Sequence, residues 1–147
     1  MKFIAFVESD SFQIGLLADG PVPQWTEDFL DAGIADLENG LLVATYPDLD
    51  YRKLSIPVTV MDKDEPLTPD QKAGYTLLGV YAIQTRRGFI DVGCIPSICE
   101  GTSGRLRLDK DKLKLAIYGD LPREPHRLII HFMDASIISV DAHRLTP

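Results

Sequence analysis

Apolar and polar residues alternate along much of the chain. The clearest examples are Leu54–Met61 and residues 112–118, in each of which every second position is apolar. Successive side chains of a β-strand point to opposite faces, so this pattern turns one side of each segment toward a core and the other toward solvent. Seven further segments with short apolar runs are predicted as strands, at residues 3–7, 12–17, 41–46, 75–85, 89–92, 105–108 and 128–133.

Turn residues separate several of these segments. The runs 86–88, 109–111 and 8–10 each lie between two predicted strands, and a glycine such as Gly88 can supply the positive φ that a tight hairpin needs. We therefore predict hairpins at these three places. Pro57 lacks a backbone N–H, which predicts that its strand lies at a sheet edge or carries a bulge.

One helix is predicted near residues 26–33. Thr26 is a suitable N-cap, two acidic residues follow it in the first turn, and Gly33 is a suitable C-terminal stop. Many short strands with one inserted helix indicate an all-β fold in a single domain of residues 1–147. We predict an antiparallel β-sandwich or open barrel of about 8–9 strands.

The chain has 147 residues and a formal net charge of −7, and this charge is unevenly distributed. Residues 1–74 carry 14 acidic and 5 basic side chains, whereas residues 75–147 carry 8 acidic and 10 basic ones. Residues 3–51 contain ten carboxylates and no Lys or Arg. An acidic chain repels nucleic-acid phosphates, so we expect a basic protein as partner and no direct nucleic-acid binding.

The apolar segments and the cysteines exclude other classes of protein. No segment reaches the roughly 18 apolar residues of a membrane span, and the first residues lack the features of a signal peptide. We therefore expect a cytoplasmic protein without membrane contact. Cys94 and Cys99 have a C-x4-C spacing that matches no common zinc or redox motif, so they are expected to be free thiols.

The sequence contains no motif that is typical of catalysis or cofactor binding. G-x-S-x-G, H-E-x-x-H, EF-hand and P-loop motifs are all absent from it, so we predict no catalytic residues, no metal site and no cofactor. The alternative is a small enzyme or small-molecule-binding β-sandwich with a pocket lined by predicted loops at residues 62–72 and 100–104. Convergence of His126, His131 or Cys99 in that pocket would favour this alternative.

An aromatic residue and several carboxylates lie close together in the acidic first third of the chain. Protein interfaces commonly bury aromatic anchors at their centre and place charges at their rim. Trp25 also has a structural interpretation, because it can pack near Leu30 and staple the start of the helix to the core. We predict a partner-binding site formed by Trp25, Glu27, Asp28, Asp31, Asp36 and Glu38.

Basic residues cluster in the second half of the chain. Arg105 and Arg107 share one face of a predicted strand, and Lys112 and Lys114 share one face of the next. Lys110 lies in the turn between them. We interpret this cluster as the solvated face of a hairpin, which also protects a sheet edge against aggregation.

Three segments of the sequence resemble the competence protein J family, whose members inhibit a bacterial DNA-entry nuclease. They are WTEDFLDAGIADLENGLLVAT (residues 25–45), GVYAIQTRRGFIDVG (79–93) and LIIHFMDASIISV (128–140). The last two look like the second hairpin and the closing strands of the family. Residues 62–72 look longer than in the family, and residues 94–97 interrupt the chain after the second segment, which leaves the partner open.

The resemblance implies a non-enzymatic protein that binds a nuclease and blocks it. Nucleases attract phosphates with basic groups, and an acidic surface is complementary to such a site. We therefore predict an inhibitor or immunity-like protein that neutralises a nuclease or another basic protein through an acidic face.

Overall fold

The computed structural model describes residues 2–9, 13–18, 23–45, 54–93 and 104–142. Cys94 and Cys99, together with residues 100–103 of the second predicted loop, lie outside the described residues. The predictions for them stay predictions.

Two β-sheets make up most of the described chain, and the predicted all-β sandwich is confirmed. The five-stranded sheet has the order β1-β5-β10-β9-β6, and the six-stranded sheet has the order β11-β8-β7-β2-β4-β3. Neighbouring strands are antiparallel except for β5 and β10, which are parallel. In chain order the elements are β1 (Lys2–Ser9), β2 (Gln13–Leu17), α1 (Glu27–Ala32), β3 (Ile34–Leu37), β4 (Gly40–Ala44), β5 (Leu54–Met61), α2 (Pro69–Gly74), β6 (Thr76–Gln84), β7 (Phe89–Gly93), β8 (Gly104–Leu108), β9 (Lys112–Gly119), β10 (Leu128–Phe132) and β11 (Ile137–Ala142).

The core is one apolar layer between the two sheets. Alternate residues of β5 and β9 point into it as the period of two predicts, and Val58 and Leu115 are fully buried there. The six-stranded sheet covers this layer with alternate residues of its own strands, such as Leu16 and Leu106. The other face of each strand is therefore left to contact solvent, a helix or a partner.

The connections at residues 86–88 and 109–111 are corners between the two sheets, so the hairpins predicted there are wrong. β6 pairs with β9 in the five-stranded sheet, whereas β7 and β8 belong to the six-stranded sheet. The hairpin predicted at residues 8–10 is wrong for the same reason, because β1 pairs with β5 and β2 pairs with β4 and β7. Local turn chemistry bends the chain, but the choice of partner strand depends on distant residues.

The two corners bind each other instead of closing hairpins. The backbone N–H of Thr85 donates to the Asp111 carbonyl at 2.8 Å, and the N–H of Leu108 donates to the Gly88 carbonyl at 2.9 Å. Gly88 has a φ of 74°, and a Cβ atom added there would lie 2.4 Å from the Leu108 carbonyl oxygen. Glycine is therefore required at this corner because no side chain fits.

Pro57 lies in an interior strand, which corrects the prediction of a sheet edge or a bulge. β5 runs between β1 and β10, and its pairing with β1 continues through Pro57 without a shift of register. The pairing with β10 begins only at Val58. Pro57 therefore occupies the part of β5 that has a neighbouring strand on one side only, where a missing N–H is tolerated.

Residues 62–72 are not wholly a loop, because α2 begins at Pro69. Thr68 and Gln71 form a capping box in which each side chain accepts a hydrogen bond from the backbone N–H of the other, at 3.1 and 2.9 Å. Both the capping-box pattern and the proline at the first helical position are visible in the sequence, and both are typical of a helix start. β3 and β11 are likewise additional to the predicted strands. Neither helix of the described chain is long and apolar enough to cross a membrane.

Asp62 joins the two sheets where β5 ends. Its side chain is fully buried, and Oδ2 accepts a hydrogen bond from the backbone N–H of Ile137 in β11 at 2.8 Å. Oδ1 accepts from the N–H of Asp64 at 3.1 Å. Burial raises the pKa of the Asp62 carboxyl, but the interactions of its ionised form outweigh this effect and hold the pKa below its usual value of 3.8.

Replacing Asp62 by Ala is expected to lower the free energy of unfolding by about 2–3 kcal/mol, because the buried N–H of Ile137 loses its acceptor. Urea denaturation at neutral pH measures the change. Asp111→Ala is the matched control, since this residue is exposed in a neighbouring corner, and it should change stability by at most about 0.5 kcal/mol. Equal effects of the two substitutions would contradict the role assigned to Asp62.

The contribution of Asp62 should also depend on pH. A carboxyl whose pKa is lower in the folded than in the unfolded state stabilises the fold above the unfolded value and loses this effect as the pH falls through the folded value. We expect the stability difference between the wild type and Asp62→Asn to be constant from neutral pH to about pH 5 and to shrink below about pH 3.8. Urea titrations at stepped pH measure it, and a difference that grows on acidification would refute the sign of the shift.

Candidate functional site

Helix α1 forms at the predicted place and is capped at both ends. Thr26 Oγ1 accepts a hydrogen bond from the backbone N–H of Phe29 at 3.2 Å, which caps the N-terminus. Gly33 has a φ of 78° and donates its N–H to the Phe29 carbonyl at 2.8 Å. A six-residue helix is marginal by itself, so these caps and its contact with the sheet hold it in place.

Trp25 anchors the start of α1 to the outer face of the six-stranded sheet. It packs with Phe29 against a buried cluster of Leu17, Ala35 and Leu42, which is separate from the main core. Its Nε1–H donates to Gln13 Oε1 at 2.7 Å. Trp25 therefore fixes the start of the helix to the sheet, as its structural interpretation predicts. The helix residue that packs beside it is Phe29, whereas Leu30 was expected there.

The α1 surface that faces away from the sheet is acidic. Glu27, Asp28 and Asp31 are exposed, and within the described part of the chain no ion pair joins them to a basic side chain. Leu30 is 61% exposed among them. The Arg123 guanidinium donates to the Asp31 main-chain carbonyl, which satisfies the C-terminal end of the helix and leaves the Asp31 carboxylate free to face solvent.

Asp36 lies on the opposite face of the sheet from Trp25. Ala35 packs in the Trp25 cluster while Ile34 enters the main core, so Asp36 follows Ile34 to the inner side at the sheet edge. There it approaches Tyr81 of β6. Burial of the Tyr81 hydroxyl, and next the charge of Asp36, raise the pKa of Tyr81 above its usual value of 10.0.

Glu38 lies at the turn after β3, beside the same strand β6. Its carbonyl accepts the backbone N–H of Gln84 at 2.7 Å, and this bond ties the edges of the two sheets together. Glu38 also lines an open groove of about 510 Å³ with Lys112 and Lys114. The structure thus brings Trp25, Glu27, Asp28 and Asp31 together and places Asp36 and Glu38 at the seam with β6.

His126 and His131 do not converge on one pocket, and His143 lies outside the described residues. His131 Nε2 lies 3.1 Å from the Asp62 carbonyl oxygen, whereas His126 lies before β10 and its Nδ1 is 3.8 Å from an Asp120 oxygen. Cys99 is outside the described residues. Among the described residues, no group of three or more His, Cys, Asp or Glu side chains is placed to hold a metal ion.

The basic residues of the second half are divided between the sheets. Lys112 and Lys114 belong to β9, whereas Arg105 and Arg107 lie on the outer face of the six-stranded sheet beside Phe89. The interpretation as one hairpin face is therefore wrong, because the turn at residues 109–111 crosses between the sheets. The sequence contained a signal for the Phe89 surface, since Phe89 alternates with buried apolar residues of its strand.

Comparison with known proteins identifies a related fold. No protein-family model matches the chain, and no curated protein matches it. The crystal structure of ComJ, inhibitor of the DNA degrading activity of NucA, from Bacillus subtilis is similar over 90% of this chain and 93% of that chain. The TM-score is 0.53 and the sequence identity is 14%, so the likeness establishes a shared fold. The resemblance to the competence protein J family is thereby confirmed as structural similarity.

The placement of Asp36 next to Tyr81 has a measurable consequence. Because the Asp36 charge contributes to the raised pKa of Tyr81, Asp36→Asn is expected to lower that pKa toward 10.0. Ultraviolet absorbance titration of the tyrosinate follows the change, and Tyr81→Phe assigns the signal. Asp28→Asn on α1 removes an equal charge and should leave the Tyr81 signal in place; an equal effect of both substitutions would contradict the separation of the two carboxylates.

Proposed function

We propose that the chain is a non-enzymatic inhibitor of the competence protein J kind, which binds and neutralises a nuclease or another basic protein. The binding surface consists of Trp25 and the exposed side of α1. The observation that carries this proposal is the group of Glu27, Asp28 and Asp31 carboxylates, which no ion pair within the described residues neutralises.

Electrostatic attraction gives this surface a way to recognise its partner. The active site of a nuclease concentrates positive charge to bind phosphates, so a compact group of carboxylates is complementary to it. Such complementarity raises association rates by roughly 10–10³-fold and weakens as salt screens it. Asp36 and Glu38 lie apart from this group at the sheet edge beside β6, where Glu38 shares a groove with Lys112 and Lys114, and a large partner would reach them as well.

The rigidity of α1 supports a role in binding. Thr26 and Gly33 fix the two ends of the helix, and Trp25 is held by packing and by its bond to Gln13. A surface that is ordered before association loses less conformational entropy when it binds. The partly buried Trp25 ring is then available as an aromatic anchor at the edge of the acidic group.

The shared fold is consistent with this proposal. The ComJ structure is that of an inhibitor of a DNA-degrading activity, and its fold extends over nearly the whole of both chains. A shared fold at 14% identity does not transfer a partner, so the partner proposed here follows from the acidic surface of α1.

Affinity capture on the immobilised protein should retain a basic protein with DNA-degrading activity at low salt, and added free protein should suppress that activity. Asp28→Lys is expected to slow association about tenfold, with a much smaller effect on dissociation, because it reverses a charge on the binding surface. Surface plasmon resonance at two salt concentrations separates the two rates.

Asp70→Lys provides the matched control. Asp70 occupies the first turn of α2 as Asp28 occupies the first turn of α1, so both substitutions change the net charge and the interaction with the helix dipole alike. Association should be nearly unchanged in this control. Equal slowing by the two variants, or retention of no basic protein at low salt, would refute the proposal.

A further inference from the structure

The outer face of the six-stranded sheet is divided into two halves of opposite charge. The acidic half is α1 with its three exposed carboxylates, which covers β2, β4 and β3. The arginine half consists of the outer residues of β7 and β8 together with the corner at residues 86–88. Leu17 belongs to the cluster beneath Trp25 and also lines a groove with Arg86 and Arg87, so the halves adjoin.

Phe89 is the centre of the arginine half. The residue is 36% exposed, and the guanidinium carbons of Arg105 and Arg107 lie 5.8 and 5.7 Å from its ring centroid. Two grooves of about 400 and 490 Å³ meet here and share Phe89 and Arg87. They form a continuous surface in which several guanidinium groups surround one apolar ring.

The chemistry of this half suits carboxylates. Arg105 already holds Asp91 through two hydrogen bonds of 2.9 and 3.1 Å, the paired geometry that guanidinium and carboxylate groups prefer. Arg87 and Arg107 are exposed beside this pair, and no ion pair with a carboxylate is formed by either of them within the described residues. They are therefore available to further acidic groups.

Apolar side chains accompany the charges on both halves. Leu30 on the acidic half is 61% exposed, and Leu37 of β3 is 40% exposed. Phe89 on the arginine half is 36% exposed, and Ile138 of β11, which lines the adjoining groove, is 51% exposed. Exposed apolar groups that are surrounded by charges are typical of surfaces that become covered by another protein.

We propose that this outer face is self-complementary and binds a second copy of the chain in a two-fold symmetric dimer. A two-fold axis that lies in the plane of the face, along the border between its halves, places the acidic half of each copy opposite the arginine half of the other. Glu27 and Asp31, which share one side of α1, then meet Arg87 and Arg107 of the other copy. Leu30 of each copy then meets the Phe89 ring of the other copy, so this apolar contact occurs twice in the interface.

A second copy fits this face better than a nucleic acid does. A polynucleotide on the arginine half would lie beside the carboxylates of α1 and in the field of a chain with net charge −7. A second copy instead brings its carboxylates to the arginines and its arginines to the carboxylates. The inference does not depend on the proposed function, although both use α1, so dimer formation would compete with partner binding.

Sedimentation equilibrium of the purified protein, without any partner, tests the proposal. The weight-average mass should rise with concentration toward twice the chain mass of 16.3 kDa, and this rise should weaken between about 0.05 and 0.5 M salt. Glu27→Lys/Asp31→Lys makes both halves basic, and Arg87→Glu/Arg107→Glu makes both halves acidic. Each variant alone is expected to dimerise at least about tenfold more weakly than the wild type.

An equimolar mixture of the two variants should recover the dimer, because every contact in the mixed pair again joins opposite charges. A chain that carries all four substitutions should recover it as well. These recoveries also show that the variants are folded. Glu65→Lys/Asp70→Lys, which alters net charge equally near α2, should dimerise as the wild type does.

Three outcomes would overturn the proposal. The first is a wild-type protein that remains monomeric at high concentration in low salt. The second is a mixture of the two variants that stays monomeric while each is folded by circular dichroism. The third is a monomer whose Arg87→Glu/Arg107→Glu variant loses binding to a labelled single-stranded oligonucleotide, which would assign the arginine half to nucleic acid.

Discussion

The burial of one apolar layer between two sheets is the constraint on which the rest of the structure depends. Each strand gives alternate residues to this layer, so the chain must cross repeatedly from one sheet to the other. At the crossings that the structure describes, polar groups of the backbone are removed from water and need internal partners. Asp62 supplies one such partner by accepting the N–H of Ile137 across the sheets, and the corners at Thr85 and Leu108 supply others by binding each other.

Because the inner faces are filled by the core, recognition is left to the outer faces and the edges. On the six-stranded sheet, α1 and Trp25 cover part of the outer face, and on the five-stranded sheet the residues that flank α2 cover Met61 and Ile129. The outer face of the six-stranded sheet carries the acidic surface that we propose for a basic partner and the arginines that surround Phe89. A charge of −7 therefore describes the chain poorly, because opposite charges are concentrated on neighbouring parts of one surface.

The similarity to ComJ concerns the arrangement of strands. Two chains with 14% identity share this arrangement because many sequences provide the same alternation of apolar residues. The individual side chains that contact a partner are not constrained in this way. Support for a binding role of Trp25 and the α1 carboxylates therefore comes from their geometry in this chain and not from the shared fold.

The sequence by itself determined the features that depend on near neighbours. Its period of two identified most strands, and Thr26 and Gly33 marked the ends of α1, because caps and alternation act within a few residues. The capping box of Thr68 and Gln71 is equally local. Only the tertiary structure decided that residues 86–88 and 109–111 are corners and that Asp36 faces Tyr81 away from Trp25. Strand partners are selected by burial of the whole apolar layer, and that selection sums contacts between residues far apart in the chain.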